Sequence, residues 1–159
     1  MITYRPARAE EWPAIIELCV QTMRHVNNRD YRPDQINAWV SRIANPGRMQ
    51  KRIREQTVWV ACDELTMVGL ITWMTTGYID LLYVGKDHQG RGIGSHLLRL
   101  AEVSNLREGV HQLESDVSLT AKPLFDRRGF ETVQQQQVVL GSVTLTNFKM
   151  TKRINHSFD

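Results

Sequence analysis

One short stretch carries the clearest chemical signal in the chain: Asp87-His88-Gln89-Gly90-Arg91-Gly92-Ile93-Gly94-Ser95. Glycines at alternate positions leave the backbone sterically bare, so its N–H groups can turn toward one concavity. An apolar run at helical spacing follows at once. A helix starting there adds its unpaired first-turn N–H groups and the positive end of its dipole. This is a cradle for phosphate or pyrophosphate, held mainly by main-chain amides, with Arg91 adding positive charge. Two other phosphate motifs fit poorly. No Gly-Lys-Ser or Gly-Lys-Thr ending is present, which argues against a P-loop. A dinucleotide fold wants Gly-x-Gly-x-x-Gly after the first strand of a parallel sheet, and here the glycines read Gly90, Gly92, Gly94 after a run of antiparallel strands.

The other reactive side chains suggest no second site of this kind. His25, His88, His96, His111 and His156 show no metal-ligand spacing, so no metal is expected. Cys19 and Cys62 are isolated and read as small buried hydrophobes. The basic run Arg48, Lys51, Arg52, Arg54 reads as a solvated helix face. Contact with a phosphate group or a nucleic acid is its functional alternative.

The 159 residues include 20 Lys and Arg against 17 Asp and Glu, a formal charge of +3 that permits an anionic ligand without demanding one. With 42% apolar and 23% charged residues the composition is that of a globular domain, and one domain is expected, over residues 1–150 with a polar tail at 151–159. Two cysteines are too few for a disulfide scaffold, and no apolar run approaches the ~20 residues of a membrane helix. Without an apolar signal-peptide core at the N-terminus, the expected location is the cytoplasm.

The elements that must position the cradle follow from periodicity. Ile2 to Arg5 alternates and reads as a strand. Trp12, Ile15, Ile16, Cys19, Val20 and Met23 mark a helix with Pro13 in its first turn. A second helix starts near Pro33 and carries Ile36, Trp39, Val40 and Ile43, with Asn45-Pro46-Gly47 closing it. A short basic helix spans Arg48 to Glu55. The period then changes: Thr57 to Cys62, Met67 to Thr75 and Tyr78 to Val84 read as an antiparallel meander. A helix from Ile93 to Arg107, a strand from Leu113, a helix from Thr120 to Arg128 and strands Glu131 to Leu140 and Ser142 to Met150 complete a mixed α/β order. The polar run Gln134 to Gln137 reads as an exposed strand face.

Gln89-Gly90-Arg91-Gly92-Ile93-Gly94 resembles the Gln/Arg-x-x-Gly-x-Gly/Ala signature of the GNAT (Gcn5-related N-acetyltransferase) superfamily. Ile79 to Val84 looks like that family's fourth strand, and Ala121 to Phe130 like its later helix with a Gly-Phe ending. Tyr31-x-Pro33, Ile36-x-Ala38-Trp39, Val58-Trp59-Val60-Ala61, Thr120-Ala121-Lys122-Pro123 and Thr146-Asn147-Phe148 resemble the YafP-like branch. The resemblance implies a mostly antiparallel GNAT-type sheet flanked by helices and splayed between strands 4 and 5. It implies acetyl-CoA as cofactor. Gln89, Gly90, Arg91, Gly92, Ile93, Gly94 and Ser95 would take its pyrophosphate. Leu82, Tyr83 and Val84 would lie along the pantetheine arm, with the Leu82 and Val84 backbone pairing as an added strand, and with Ser118 and Phe125 near it.

The implied reaction is direct attack by a primary amine of a small molecule or peptide in a ternary complex. If the amine were lysine-like, with a reference pKa near ~10.4, forming the neutral amine at pH 7 costs about 4–5 kcal/mol, so a proton acceptor matters. Asp80 is the first candidate. It stands on the same strand face as Tyr78, where many family members carry glutamate, and a lone acid among Ile79, Leu81 and Leu82 needs a role or a structural pairing with Arg5 or another cation. Asp116 on the neighbouring strand is the second. Backbone amides near Leu82 would polarise the thioester carbonyl. The family's usual proton donor is a tyrosine at the position of Phe125, which has no proton to give. Tyr83, Tyr78, Tyr31 or water would substitute, although Tyr83 is opposite in parity to Asp80 and reads as a core aromatic. Ser118 replaces a common asparagine. The acceptor pocket is expected from the first two helices and last two strands, with Tyr31, Gln35, Trp39, Trp73, Tyr78 and Asn147 lining it. Two further readings follow from the resemblance: a catalytically weak module that holds coenzyme A, and a toxin-like acetyltransferase directed at RNA. A homodimer through terminal strands fits the family; nucleic-acid and membrane partners are not expected.

Overall fold

The computed structural model describes residues 1–155; the end of the polar tail, with His156, lies outside the described residues. The strands are β1 (Ile2–Pro6), β2 (Thr57–Asp63), β3 (Thr66–Trp73), β4 (Tyr78–Val84), β5 (Gln112–Ser118), β6 (Glu131–Leu140) and β7 (Val143–Arg153). The helices are α1 (Trp12–His25), α2 (Pro33–Ile43), α3 (Pro46–Glu55), α4 (Ile93–Arg107) and α5 (Lys122–Arg127). One sheet runs β1-β2-β3-β4-β5-β7-β6, antiparallel except for β4 beside β5. No helix among the described residues is long and apolar enough to cross a membrane.

Two apolar layers cover the sheet. On one face Ile15, Cys19 and Met23 of α1 pack with Ile36 and Val40 of α2, Met49 of α3, and Leu70, Leu81 and Tyr83 of the strands. On the other, Leu97, Leu98 and Ala101 of α4 and Phe125 of α5 meet Ile71, Ile79, Leu113, Val117 and Met150. Both layers follow from apolar residues three or four apart on the helices and alternating on the strands.

Several boundaries differ by a residue or two from the sequence reading, β3 ending at Trp73 and α5 spanning only Lys122–Arg127 among them, and two differences have a clear cause. Asn45-Pro46-Gly47 opens α3 instead of only closing α2: the Asn45 side chain accepts a hydrogen bond from Arg48 N–H at 3.0 Å, and Pro46 occupies the first turn. β7 runs on to Arg153, where a polar tail was expected from Thr151. The extension pairs Arg153 with Gln112, and Lys152 reaches Glu102 of α4 at 2.6 Å. Ile154 is buried beyond it, its N–H donating to His111 O at 2.9 Å.

Two irregularities around β4 shape the site. β3 pairs Thr72 with Leu81 but Trp73 with Ile79, so Asp80 is an extra residue, a bulge. The Leu81 N–H there donates to the Thr72 hydroxyl at 3.1 Å. On the opposite edge, β4 pairs with β5 only at Tyr78↔Glu114 and Ile79↔Ser115, after which the strands part. The Ser115 hydroxyl donates to Ile79 O at 2.8 Å where they separate.

Candidate active site

The gap between β4 and β5 joins two cavities. One, of about 280 Å³, lies against the glycine-rich turn. The other, of about 290 Å³, lies under α2 and α3. Leu82, Tyr83, Ser118 and Ala121 line both, so the two meet where the strands part.

The first cavity is built from backbone. Gly90 and Gly92 have φ of +73° and +79°, and a Cβ at either would meet no atom within 4 Å. Both glycines are therefore required by conformation and not by crowding. The first helical bond of α4 runs from His96 N–H to Gly92 O at 3.0 Å, and no side chain caps the helix. The N–H groups of Ile93, Gly94 and Ser95 are thus left without helical partners beside the turn. Gly94 lines the cavity as its spacing suggested and serves a second end as well. It is buried within α4, where a Cβ would come within 2.7 Å of the Leu124 side chain. Gln89 Nε2 donates to Val84 O at 2.6 Å and fixes the turn to the end of β4.

The gap edge of β4 also presents backbone. Gly85 N–H donates to Val68 O at 2.8 Å, so the antiparallel alternation turns the polar groups of Val84 and Leu82 away from β3 and into the gap. Arg91 is exposed and does not line the cavity, whereas Arg29, from the turn after α1, and Arg127, at the end of α5, do. Neither arginine has a motif around it, and only the fold brings them to the turn.

The second cavity holds the acid–base groups. Asp80 does pair with a cation. Its Oδ2 accepts from Arg52 Nε at 2.7 Å and from Gln56 Nε2 at 2.8 Å. Arg52 therefore turns inward, contrary to a wholly solvated face for the basic run. It stands one turn from Met49 and from Gln56, on the packed side of α3. Asp116 is held by neutral donors: Tyr78 Oη to Oδ2 at 2.7 Å and Gln136 Nε2 to Oδ1 at 2.8 Å. Burial, then this carboxylate, push the Tyr78 phenol upward, so its proton stays on Oη. The same Gln136 amide reaches Asn147 Oδ1 at 3.0 Å.

The three tyrosines considered as proton donors are not equivalent. Tyr31 Oη donates to Thr146 O at 2.7 Å and accepts from Leu119 N–H at 2.9 Å, tying the approach to α2 to β7 and to the loop after β5. Tyr78 is engaged with Asp116. Tyr83 Oη makes no hydrogen bond among the described residues, and burial raises its phenol well above the ordinary value. The bulge at Asp80 also overturns the parity argument. With one extra residue before them, Leu81 and Tyr83 fall on the face that Asp80 occupies, and Tyr83 lies near the Trp39 ring at 6.4 Å between centroids.

The remaining expected residues divide. Trp39, Tyr31, Tyr78 and Asn147 line the second cavity. Trp73 does not: it shares strand parity with Ile71 and packs beneath α4 on the opposite face of the sheet. Gln35 also lies outside this cavity. Its Oε1 accepts from Arg32 N–H at 2.7 Å and its Nε2 donates to Thr144 O at 2.8 Å, so its amide is taken up in capping α2 and fastening it to β7. Ser118 Oγ accepts from Ala121 N–H at 3.0 Å at the entrance to α5. Phe125 is buried edge-on against Phe130, centroids 4.8 Å apart, and reaches the second cavity with a wholly apolar ring. Among the described residues no group of three or more His, Cys, Asp or Glu gathers as a metal site.

A strand edge laid open in mid-sheet, beside a helix start that no side chain caps among the described residues, can receive an extended ligand ending in a phosphate. The acetyltransferase (GNAT) domain matches residues 27–152. The uncharacterized N-acetyltransferase YafP of Escherichia coli (strain K12) is 35% identical over 143 residues, covering 88% of this chain and 90% of that one. Among solved structures, a GCN5-related N-acetyltransferase (aminotransferase, class-II) from Rhodopseudomonas palustris superposes with a TM-score of 0.91 at 27% identity, over 96% of this chain and 95% of that one. The PaiA N-acetyltransferase of Thermoplasma acidophilum, in complex with coenzyme A, has the same fold with a TM-score of 0.79 at 18% identity, over 96% and 99%. The chain belongs to the GNAT acetyltransferase family, in its YafP-like branch, and is an N-acetyltransferase.

Proposed function

We propose that this chain transfers an acetyl group directly from acetyl-CoA to a primary amine held in the second cavity, with Asp116 as the proton acceptor. The observation that carries the reading is the meeting of the two cavities at the parted strands, with bare amides at one end and carboxylates at the other. The fit to the cofactor rests on the chain's own groups. The uncapped amides of Ile93, Gly94 and Ser95 and the open space over Gly90 and Gly92 suit a pyrophosphate, and Arg29 and Arg127 supply charge. The gap-facing backbone of Leu82 and the N–H of Val84, whose carbonyl Gln89 already occupies, suit an extended amide-bearing arm. When bound, acetyl-CoA supplies the acyl carbon as a thioester, whose carbon–sulfur bond breaks as the carbon–nitrogen bond to the amine forms.

Asp116 is favoured over Asp80 on charge. A guanidinium at 2.7 Å offsets Asp80, while among the described residues Asp116 accepts hydrogen bonds only from neutral groups and Lys149 across from it pairs with Glu114, so Asp116 is the carboxylate placed to hold an ammonium and take its proton. Tyr83 has a hydroxyl hydrogen with no other acceptor among the described residues and stands where the cavities join, so it donates a hydrogen bond to the departing sulfur. Its raised phenol keeps the proton, and solvent supplies the one that finally protonates the thiolate. Trp39, Tyr31 and Asn147 shape the acceptor's walls.

The test is coenzyme A release over a panel of amines by wild type, Asp116→Asn and Asp80→Asn. The expectation is a loss of kcat of about 100-fold or more in Asp116→Asn, in the range general-base removal gives. Unaltered turnover in that variant would remove Asp116 from the mechanism. Absence of turnover on every amine, with acetyl-CoA still bound, would instead support a weakly catalytic binding module.

A further inference from the structure

The acceptor cavity carries more positive charge than proton transfer requires. Two arginines line it, Arg42 from the last turn of α2 and Arg52 from α3. Arg52 is 17% exposed and gives Nε to Asp80; its Nη1 lies 3.9 Å from Met49 Sδ, and Nη2 has no acceptor among the described residues. Arg42 makes no hydrogen bond or ion pair among the described residues. Asp80 offsets one of these two charges, so the helix-lined wall keeps a net positive charge. Asp116, on β5, supplies the negative charge on the other side. The walls between them are apolar: Trp39, Ile43, Leu140 and Leu145. A cavity with one carboxylate, one surplus guanidinium and apolar walls complements a molecule bearing an amine, an anion and a hydrocarbon body. Guanidinium forks match planar oxyanions in both charge and shape.

We propose that the acceptor is an amine that also carries an anionic group, a carboxylate or phosphonate, received by Arg42 and the free edge of Arg52 while the amine faces Asp116. This deepens the transferase reading above and rests on it. A charged hydrogen bond of this kind changes binding by about 10-fold or more.

The experiment measures kcat/KM for paired probes: ω-amino carboxylates from glycine to 6-aminohexanoate, leucine and phenylalanine, each beside its primary amide, with aminoethylphosphonate as a separate arm. In wild type at least one acid exceeds its amide by about 10-fold. In Arg42→Gln that ratio falls toward 1 through a rise in KM for the acid, and Arg42→Lys restores part of it. Faster turnover of the phosphonate than of every carboxylate would assign the anion to the phosphonate class. An acid-to-amide ratio near 1 throughout wild type, or one that survives Arg42→Gln, overturns the proposal. If no probe turns over, calorimetry of the corresponding N-acetyl acids and N-acetyl amides, with coenzyme A present, separates the two ideas. A preference for acids that Arg42→Gln abolishes upholds the anion site while the transferase reading falls; equal binding of acids and amides ends the proposal.

Discussion

Gly92→Ala isolates the cradle from the fold around it, because the chain contains its own control. Gly92 and Gly109 both have φ of +79°, and a Cβ at either would meet nothing within 4 Å. Gly92 opens α4 beside the first cavity, whereas Gly109 follows the helix's other end and does not line it. Alanine at either site meets the same backbone penalty for a left-handed conformation, about 1–2 kcal/mol. For a domain of this size that lowers Tm by roughly 2–8 °C in both variants. Ligand binding should then separate them. An added methyl at Gly92 displaces or misorients amides that face the pyrophosphate. Each charge-assisted hydrogen bond lost there weakens binding by about 1.5–3 kcal/mol, or roughly 10- to 150-fold in Kd. Calorimetric titration of coenzyme A into wild type, Gly92→Ala and Gly109→Ala reads this directly, and thermal denaturation reads the shared penalty. Equal affinity in the two variants at equal Tm would refute the amide-cradle argument, since backbone strain would then account for everything the glycine does.

Tyr83→Phe removes a hydroxyl that has no hydrogen-bond partner among the described residues, so stability should hold within about 0.5 kcal/mol while acetyl transfer slows by about 10-fold, the loss of one charge-assisted hydrogen bond; an unchanged rate shows that water alone serves the thiolate. Glu11 binds Arg5 through both oxygens at 2.7 and 2.8 Å, and that contact is the main cause holding its carboxyl down at about 2 against an ordinary 4.5. A depressed acid stabilises the fold above its unfolded value and loses that contribution as pH falls toward the folded one. With Arg5 34% exposed and screened, the contribution is about 1–2 kcal/mol at pH 7, so the destabilisation by Glu11→Gln should shrink between pH 4.5 and pH 2 in urea titrations. Glu102→Ala leaves the Lys152 ammonium without its carboxylate at 2.6 Å in a site where both are largely buried, and should cost about 2–3 kcal/mol by urea unfolding. Lys152→Met strands the more buried Glu102 carboxylate while its chain continues to cover Phe130 and Gly129, and should cost about as much.

Periodicity served well wherever local pattern decides structure. β4, α4 and β6 begin and end at the expected residues, because a turn glycine or a bare loop sits at each boundary. The Gly90–Gly92 turn and the parting of β4 from β5 were also legible, the latter through the family resemblance. What escaped was what one residue does to its neighbours in space. The extra residue at Asp80 cannot be seen in alternation, since Ile79, Leu81 and Leu82 are all apolar and either phase fits. It moved Tyr83 to the acid–base face. Trp73 was misplaced because an aromatic near the end of a strand suits either side of a sheet covered on both. Arg52 looked like its solvated neighbours Lys51 and Arg54; only its spacing from Met49 and Gln56 marks the packed side of α3. Gln136, inside a polar run on an edge strand, reaches across β7 to Asp116, and nothing local distinguishes it from Gln134 or Gln135.

The two-residue seam between β4 and β5 has a mechanical consequence. It leaves the sheet as two leaves, β1–β4 and β5–β7, stitched along their common border by little more than Tyr78–Glu114 and Ile79–Ser115. Residues 82 and 84 sit mid-sheet, yet their N–H groups face the gap, so they are expected to exchange with deuterium as those of a rim strand do. An elongated ligand lying in the seam would act as a suture, and the expected outcome is slower exchange at those amides and a higher Tm for the loaded protein than for the empty one.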